Sequence, residues 1–407
     1  MFLGLPANGS AGLMLSYDQA LELLLQAITP LPADSVQIEK ASGRYLANPV
    51  LAAVDAPRAD VSAMDGYAVR MHDAAQGEWL TVTGESAAGL PHESRLAAGE
   101  AVRISTGAHV PDGADCVIMQ EYAQREENRV TFSPGFGPGR HIRRRACDFA
   151  LGDTLLEQGQ RLTPGAMIAL AGADIAEVQM VRQPRVVVIA TGSELAKPGS
   201  AHRSPRSIPE SGSYGVAALA TSCGAVLAEQ VQEQDDLDAL ANIARDAVAK
   251  ADCVVVIGGA SVGDHDLARP MFRQTGLREI FSKVAIKPGK PVWFGMADGT
   301  PVLGLPGNPT SALVTARLFL VPLLAGLQGG DGAATVRFHP QILSGELTAN
   351  GSRETFVRAR STPRGMEPAQ NQESGAQSPL ATSDWLIRRS AGAEALGEGA
   401  VIPAIPF

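Results

Sequence analysis

Two short, continuously apolar runs constrain the fold of this 407-residue chain more than any other feature. Residues 186–190 (VVVIA) and 253–257 (CVVVI) have the length of strands and do not alternate apolar with polar positions, as is typical of strands buried on both faces. Each run ends in a glycine-containing loop, and segments with helical periodicity lie between them. The pattern predicts a doubly wound α/β sheet with its ligand site at the carboxyl ends of the strands.

The loops that follow these two runs carry glycines and carboxylates. Backbone N–H groups of the second loop (GGASVG, 258–263) can surround a phosphate, and the residues expected to do so are Gly258, Gly259, Ser261 and Gly263. The loop has neither the Walker sequence nor the dinucleotide fingerprint, which excludes a P-loop kinase and a nicotinamide enzyme. Glu194 and Asp266 are hard oxygen ligands of the kind that hold Mg2+ against substrate phosphates. Asp235 and Asp236 are instead expected to cap the helix that follows them.

Three lysines flank a predicted turn at 283–291 (KVAIKPGKP). In a strand, Lys283 and Lys287 would lie on one face and the apolar residues between them on the other. The Pro-Gly pair at 288–289 predicts a turn that leads to Lys290. Three ammonium groups so close together indicate a polyanionic ligand, most plausibly a phosphate. A solvated edge hairpin whose lysines discourage aggregation is the competing interpretation.

The stretch after these lysines predicts a helix whose start can bind an anion. An apolar run at 301–305 ends in Pro306, Gly307, Asn308 and Pro309, and residues 311–324 have helical periodicity. Asn308 is expected to cap this helix, with Pro309 at its first position, where a missing N–H costs nothing. A strand that leads through a glycine turn into a helix N-terminus is a common anion site.

The N-terminal part of the chain predicts mostly β structure. A capping box at 16–19 predicts a first helix, and residues 79–130 contain short strands broken by Gly, Pro and Asn. Asp65 precedes a glycine and predicts a hairpin corner. Thr106 precedes another glycine turn, where its hydroxyl either bonds its own backbone or serves a ligand. The basic run at 140–145, followed by Asp148, is either a solvated face or an anion site.

The C-terminal part predicts a small β domain. Strands are expected at 336–348, 356–360, 385–389 and 400–405, with Arg353 between the first two. Residues 363–379 are rich in Gln, Ser, Gly and Pro, which predicts a flexible hairpin loop.

Composition limits the possible partners. A net charge of −9 argues against a general nucleic-acid binder, so an anionic ligand would need a local basic cluster. Four cysteines without zinc-like spacing are expected to be reduced, buried thiols of a cytoplasmic protein. We find no run of about 18 apolar residues that would span a membrane. The first 15 residues lack a basic segment, so no signal peptide is expected.

Seven motifs then occur in a specific order. They are SAMDGYA at 62–68, TGA at 106–108, IRR at 142–144 before Asp148, TGSEL at 191–195, the glycine loop at 258–266, AIKPGKP at 285–291 and GLPGNP at 304–309. Together they resemble the molybdopterin molybdenumtransferase family, which includes bacterial MoeA and the E domain of gephyrin. The resemblance runs from about residue 16 to the C-terminus.

This resemblance implies a multidomain α/β protein with four domains. They would be an elongated N-terminal domain (16–52 with 149–183), an inserted β-rich domain (53–148), a doubly wound domain like molybdopterin adenylyltransferase (184–329) and a C-terminal β domain (330–407). It also implies a cytoplasmic homodimer that binds no nucleic acid or membrane, with an adenylyltransferase as a possible partner and molybdoenzymes as possible acceptors.

The implied activity is a Mg2+-dependent reaction of adenylylated molybdopterin with molybdate, which releases AMP and yields the molybdenum cofactor. The positions that match the family's active site are Asp65, Thr106, Asp148, Glu194, Asp266, Lys283, Lys287 and Arg353. In this interpretation Asp266 and Glu194 hold Mg2+, the lysines and Lys290 neutralise phosphate and molybdate oxygens, and Thr106 and Arg353 bond an oxyanion. The chain departs from the family at Ala146-Cys147, where Gly-Glu is common, and at 209–212 (PESG), where an Asp-Ser-Asn stretch is usual.

Two other functions remain compatible with the residues alone. An adenylyltransferase acting on Mg-ATP would use the same central domain, although the additional N-terminal and C-terminal domains argue against it. A non-catalytic scaffold that only carries a pterin would not need Asp266 or Lys287, and both are present. AMP release from adenylylated molybdopterin separates these functions from a molybdenumtransferase.

Overall fold

The computed structural model describes residues 14–137, 139–258 and 267–407, which form two compact units. The small unit comprises Ser35–Ser42 and Asn48–Gln179. The large unit comprises the chain up to Asp34, Gly43–Ala47 and Met180–Phe407. The four-domain division stays a prediction.

A six-stranded sheet forms the centre of the large unit. In spatial order its strands are Val226–Glu233, Arg185–Thr191, Cys253–Ile257, Thr300–Leu305, Trp293–Ala297 and Arg278–Ser282. The first four are parallel, Trp293–Ala297 is antiparallel to both of its neighbours, and Arg278–Ser282 therefore runs in the same direction as the first four. The two apolar runs are therefore neighbouring inner strands, which confirms the predicted doubly wound sheet.

Successive residues of the inner strands bury themselves on opposite faces of this sheet. Val186 and Val188 pack into one core cluster, whereas Val187 and Ile189 pack into the other. Because both faces are covered, these strands need no polar positions, which explains their continuous apolar sequence.

Four main helices cover the central sheet, and they are Tyr17–Gln26, Gly212–Ser222, Leu237–Lys250 and Pro309–Leu327. The predicted capping box at Ser16 is confirmed. Asp236 caps Leu237–Lys250 as expected, by accepting from the N–H groups of Asp238 and Ala239. The prediction for Asp235 is wrong, because its side chain accepts from the backbone N–H of Ser193 instead, at 3.2 Å.

The helix Pro309–Leu327 is interrupted by one wide turn. Pro309–Thr315 and Val321–Leu327 are α-helical, and Ala316–Leu320 between them is a π-helix. By length and composition this helix would suit a membrane span, contrary to the expectation that the chain has no such apolar run. However, 83% of its most apolar window is buried in the fold. The residues therefore serve as a core helix of the large unit.

A second sheet in the large unit contains most of the C-terminal residues. Its strands, in spatial order, are Ile286–Lys287, Glu354–Thr362, Trp385–Arg389, Val401–Pro406 and His339–Ile342, and Gly365–Pro368 also pairs with Glu354–Thr362. The predicted strand at 336–348 is wrong beyond its centre, since Ala333–Val336 is a 3-10 helix and the chain turns at Gly345, where φ is 136°. The strand Ile286–Lys287, which we call the lysine strand, forms one edge of this sheet.

The small unit is built on a third six-stranded sheet. Its spatial order is Cys116–Met119, Gly66–Val69, Glu100–Ile104, Leu80–Ser86, Arg129–Phe132 and Ala123–Glu126, which confirms the predicted short strands. The helices Met71–Ala74 and Pro164–Gly172 belong to the same unit. Two strand pairs complete it, Val61–Ser62 with Ile142–Arg143 and Val50–Leu51 with Thr154–Leu156.

The predicted hairpin corner at Asp65 is wrong. Val61–Ser62 and Gly66–Val69 flank this residue but pair with different strands, so the chain bends there without closing a hairpin. Gly66 is required at the bend for a different reason, because a Cβ at this position would lie 1.9 Å from the carbonyl oxygen of Ile118.

The remaining short elements connect these parts of the chain. The strands Ala33–Gln37 and Glu177–Val181 pair with each other, as do Leu195–Ala196 and Ile208–Pro209. The other 3-10 helices are Ile38–Lys40, Gln120–Tyr122, Ala201–Arg203, Pro270–Thr275 and Ser378–Thr382.

Candidate functional site

A cavity of about 590 Å³ lies at the carboxyl ends of the central strands, where the sequence predicted a ligand site. We call it the strand-end cavity, and its lining includes Glu194, Asp235, Gly258 and the residues Pro306, Gly307, Asn308 and Pro309. Gly258 has a φ of 106°, and a Cβ there would lie 2.5 Å from the carbonyl oxygen of Thr191. Only glycine fits this point, where the strand enters its loop. The other predicted loop residues, Gly259, Ser261, Gly263 and Asp266, lie outside the described residues.

The described lining of the strand-end cavity is acidic. It contains the carboxylates of Glu194, Glu210 and Asp235, and none of its described residues is Lys, Arg or His. A phosphate group placed here would therefore need a cation beside it.

Glu210 is committed to the fold of this region. It is buried, and its two carboxylate oxygens accept from the N–H of Ser213 at 2.8 Å and from the Ser213 hydroxyl at 2.6 Å. These bonds anchor the start of helix Gly212–Ser222. Residues 209–212, where the resemblance to the family is interrupted, thus include one that fastens a helix.

A second cavity, of about 860 Å³, adjoins the first and is basic. We call it the lysine cavity, because Lys287 and Lys290 line it together with Arg353. Pro291, Pro306 and Asn308 line both cavities. An acidic and a basic compartment therefore lie next to each other in the large unit.

The lysine segment alternates in burial as predicted. Lys283, Lys287 and Lys290 are exposed, whereas Val284 and Ile286 are buried. It is not a continuous strand, because Lys283 has a φ of 63° and only Ile286–Lys287 pairs within a sheet. Lys283 lines neither the strand-end nor the lysine cavity in the described structure.

The lysine strand pairs with the C-terminal sheet, which brings Arg353 to it. Lys287 lies opposite Thr355, and Nη1 of Arg353 donates to the carbonyl oxygen of Ile286 at 3.3 Å. A further cavity of about 740 Å³ extends from here over the C-terminal sheet and is also lined by Lys287 and Arg353. Lys287 and Arg353, which are far apart in the chain, thus share one basic wall.

Asn308 occupies the N-cap position of the long helix but does not cap it with its side chain. The side-chain nitrogen Nδ2 donates to the hydroxyl of Ser374 instead, at 3.1 Å. The expectation of a side-chain cap is therefore wrong, whereas Pro309 begins the helix as predicted.

The loop 369–377 contributes residues 370–375 to one wall of the lysine cavity, a role that its sequence does not indicate. Its carbonyl groups at Asn371, Glu373 and Ala376 accept from the guanidinium of Arg358, which is 1% exposed. The hydroxyl of Thr310 also donates to the carbonyl oxygen of Ala376, at 2.7 Å. The hairpin loop predicted at 363–379 is wrong at Gly365–Pro368, which is a strand, and the flexibility of the remainder stays a prediction. No sequence signal identifies Arg358, because arginine is seldom fully buried.

In the small unit, Asp65 and Thr106 form a direct pair. Oδ1 of Asp65 accepts from the N–H of Thr106 at 2.6 Å and from its hydroxyl at 2.9 Å. The backbone bond and then the hydroxyl bond hold the pKa of Asp65 below its ordinary value. The hydroxyl therefore does not bond its own backbone, which was one of the two expectations.

The basic run of the small unit is partly neutralised. Arg144 forms an ion pair with Asp60, and Arg145 forms one with Asp55 at 2.6 Å. Asp148 follows these arginines and is exposed. Cys147 is also exposed, so the expectation of four buried thiols is wrong at this position.

Carboxylate oxygens are the candidate metal ligands in the described structure. Within residues 14–137, 139–258 and 267–407, no three His, Cys, Asp or Glu side chains form a metal-binding group. Glu194 and Asp235 nevertheless line one cavity, and Mg2+ commonly takes one or two carboxylates together with substrate phosphates. The two carboxylates fit Mg2+ in this mode.

The fold and the paired cavities define a class of protein, a multidomain α/β protein whose candidate ligand site lies at the ends of its central strands. Three family models match successive parts of the chain. They describe the MoeA N-terminal region (domains I and II) at residues 15–173, a probable molybdopterin binding domain at 187–326 and the MoeA C-terminal region (domain IV) at 341–407.

Individual relatives match most of the chain. A molybdopterin molybdenumtransferase of Haemophilus influenzae is 39% identical over 320 residues, which are 78% of each chain. One from Staphylococcus aureus is 31% identical over 400 residues, 95% of this chain and 94% of the relative. The crystal structure of a molybdopterin biosynthesis MoeA protein from Pyrococcus horikoshii superposes with a TM-score of 0.84 at 26% identity, covering 97% of this chain and 100% of the other. This chain belongs to the molybdopterin molybdenumtransferase family.

Proposed function

We propose that this protein is a molybdopterin molybdenumtransferase, which inserts molybdate into adenylylated molybdopterin and releases AMP. One observation supports this function above the others. An acidic cavity at the strand ends adjoins a basic cavity, and the two share Pro291, Pro306 and Asn308. A substrate whose nucleotide and pterin parts are joined by a pyrophosphate needs such a divided site.

The basic compartment is suited to oxyanions. Lys287 and Lys290 offer point charges, and Arg353 offers a planar fork that can bond two oxygens at once. One Arg353 nitrogen is used by the Ile286 carbonyl, which fixes the direction of the guanidinium. These three side chains would bind molybdate and stabilise the charge that develops on the departing phosphate.

The acidic compartment is suited to a divalent cation. Glu194 and Asp235 would hold Mg2+, with Asp266 as a further ligand that the family resemblance implies. The ion, when bound, polarises the pyrophosphate and neutralises its charge. It thereby allows an anionic group to enter a cavity lined by carboxylates.

The role of Thr106 differs from the one the sequence suggested. Its hydroxyl hydrogen is donated to Asp65, so the hydroxyl has no second hydrogen for an oxyanion. We assign Thr106 the task of holding Asp65 in place, and Asp65 and Asp148 remain proposed active-site residues. We also propose a cytoplasmic homodimer that receives its substrate from an adenylyltransferase and supplies molybdoenzymes.

The test is a reaction of purified protein with adenylylated molybdopterin, molybdate and Mg2+, in which AMP is measured. We expect wild type to release AMP, and Lys287→Ala to abolish release while the fold is retained, because Lys287 is exposed. Lys250→Ala is the matched control, since Lys250 pairs with Glu229 and lines none of the cavities described above. In a parallel reaction supplied with molybdopterin and Mg-ATP, consumption of ATP with release of pyrophosphate would instead show an adenylyltransferase, and pterin binding without turnover in either reaction would show a scaffold.

A further inference from the structure

A closed ring of contacts surrounds the base of the lysine segment in the large unit. The N–H of Ala285 donates to the carbonyl oxygen of Leu15 at 2.8 Å, and the N–H of Glu354 donates to that of Ala285 at 3.0 Å. Nε of Arg388 donates to the carboxylate of Glu354, and Nη2 of Arg388 donates to Asp18 at 2.7 Å. Leu15 and Asp18 are three residues apart at the start of the first helix, so the ring closes there.

Arg388 is the only side chain in this ring that joins two other side chains. Its guanidinium also lies between two aromatic rings, 5.1 Å from the centroid of Tyr17 and 5.4 Å from that of Phe338. Its side chain is 24% exposed, so these interactions are only partly screened by water. A planar fork that bonds two carboxylates and stacks on two rings is specific to arginine.

The ring holds the residues that carry the cations of the lysine cavity. Ile286 lies opposite Glu354 and Lys287 opposite Thr355, and Arg353 directly precedes Glu354. The lysine strand is two residues long, and its pairing with Glu354 and Thr355 sets where Lys287 lies relative to Arg353. The position of Arg353 relative to Lys287 therefore depends on what fixes Glu354.

We propose that Arg388 is a positioning residue for the oxyanion in the lysine cavity. By holding Glu354 against Asp18, it keeps Arg353 and Lys287 at the spacing that one tetrahedral oxyanion requires. Arg388 lines none of the cavities described above, so it acts through these neighbours. This inference rests on the proposed function, since molybdate is the oxyanion concerned.

The experiment compares Arg388→Gln with wild type in steady-state kinetics and in calorimetric titration with molybdate. We expect the KM and Kd for molybdate to rise at least tenfold, while kcat changes less than threefold and the KM for the pterin substrate is unchanged. Glu354→Gln should raise the KM and Kd for molybdate by the same factor. The double variant should add little to either single change, because both single changes remove the same interaction, the one between Arg388 and Glu354.

Arg182→Gln is the matched control. Arg182 forms a bidentate ion pair with Asp252 in the same unit, in which Nη1 donates to Oδ2 at 2.8 Å and Nη2 donates to Oδ1 at 2.7 Å. Arg182 lines none of these cavities. Its replacement should lower the thermal midpoint without changing the KM for molybdate. If Arg388→Gln behaves in the same way, Arg388 is merely structural and the proposal is overturned.

If Arg388→Gln does not fold, Asp18→Asn provides the second variant. Asp18 is 68% exposed and its replacement breaks only the outer bond of Arg388, so a smaller rise in KM and Kd is expected. An unchanged Kd in Asp18→Asn would then overturn the proposal. Wild type that binds molybdate but releases no AMP contradicts the proposed function and leaves the titration as a test of Arg388. Wild type that binds no molybdate overturns both.

Discussion

Oδ1 of Asp65 accepts two hydrogen bonds from Thr106, one from its N–H at 2.6 Å and one from its hydroxyl at 2.9 Å. The two residues are 41 positions apart, so the pair ties two loops of the small unit together. Both bonds favour the charged carboxylate, which is why the pKa of Asp65 is lowered.

This lowered pKa predicts a pH-dependent contribution to stability. The contribution is fully present above the unfolded pKa of aspartate, about 4, and is lost as the pH falls through the lower folded pKa. Asp65→Asn should therefore unfold at a lower urea concentration than wild type at pH 7, and the difference should shrink below pH 4. Thr106→Val, which keeps the backbone bond, should show a smaller difference. An equal deficit for Asp65→Asn at pH 7 and pH 2.5 would contradict this account.

The turn before Lys290 predicts a large cost for a single added methyl group. At Gly289, φ is 108° and a Cβ would lie 2.1 Å from Cγ2 of buried Thr315. Gly289→Ala should lose about 1–2 kcal/mol for the left-handed backbone and a further 1–3 kcal/mol for overpacking. Gly299→Ala is the control, because φ there is 82° and nothing lies within 4 Å. Urea denaturation of both variants measures the difference, and equal losses would show that the contact with Thr315 relaxes freely.

The buried guanidinium of Arg358 predicts a link between stability and loop order. Arg358→Met leaves the carbonyls of Asn371 and Glu373 without this donor and that of Ala376 with only the Thr310 hydroxyl, which should cost about 1–3 kcal/mol, the range for leaving a buried acceptor unsatisfied. Amide hydrogen exchange in residues 369–377 should become faster. Arg360→Met should change neither quantity measurably, because Arg360 is exposed and pairs only with Glu367. Unchanged exchange in Arg358→Met would show that other contacts hold the loop.

Two adjacent aspartates provide a test of the metal site. Asp235 lines the strand-end cavity, whereas Asp236 caps a helix. Asp235→Asn should raise the Mg2+ concentration for half-maximal AMP release about tenfold, because it removes a charged ligand. Asp236→Asn should leave it unchanged, since asparagine caps a helix as well as aspartate does. Equal Mg2+ requirements in both variants would place the ion elsewhere.

The sequence predicted those parts of the fold that depend on short-range patterns. The strand Cys253–Ile257 and the capping box at Ser16 were located correctly because burial on both faces and local side-chain bonding leave a direct imprint on residue order. The sequence did not show which of Asp235 and Asp236 caps the helix. That depends on which of the two carboxylates accepts the hydrogen bond from the backbone N–H of Ser193.

Long-range pairing was the part of the site that could not be predicted. The alternation around Lys287 indicated which side chains would be exposed, yet nothing in it indicates that the strand pairs with residues 354–355 of the C-terminal sheet. The roles of two strand arginines were missed for a related reason. Arg358 is buried and Arg388 is half-buried at positions where a charge is normally solvated, and only the carbonyls and carboxylates around them in three dimensions offset the loss of water.

The wide turn at Ala316–Leu320 separates two tasks along one helix. Each residue of an α-helix rotates the chain by about 100°, so the additional residue in a π-turn changes the direction in which every later side chain points. The helix end that begins at Asn308 and the end that packs beside Tyr17–Gln26 consequently point their side chains in directions that are set separately. Removal of one residue within the turn would leave a regular helix in which one end or the other faced the wrong neighbour.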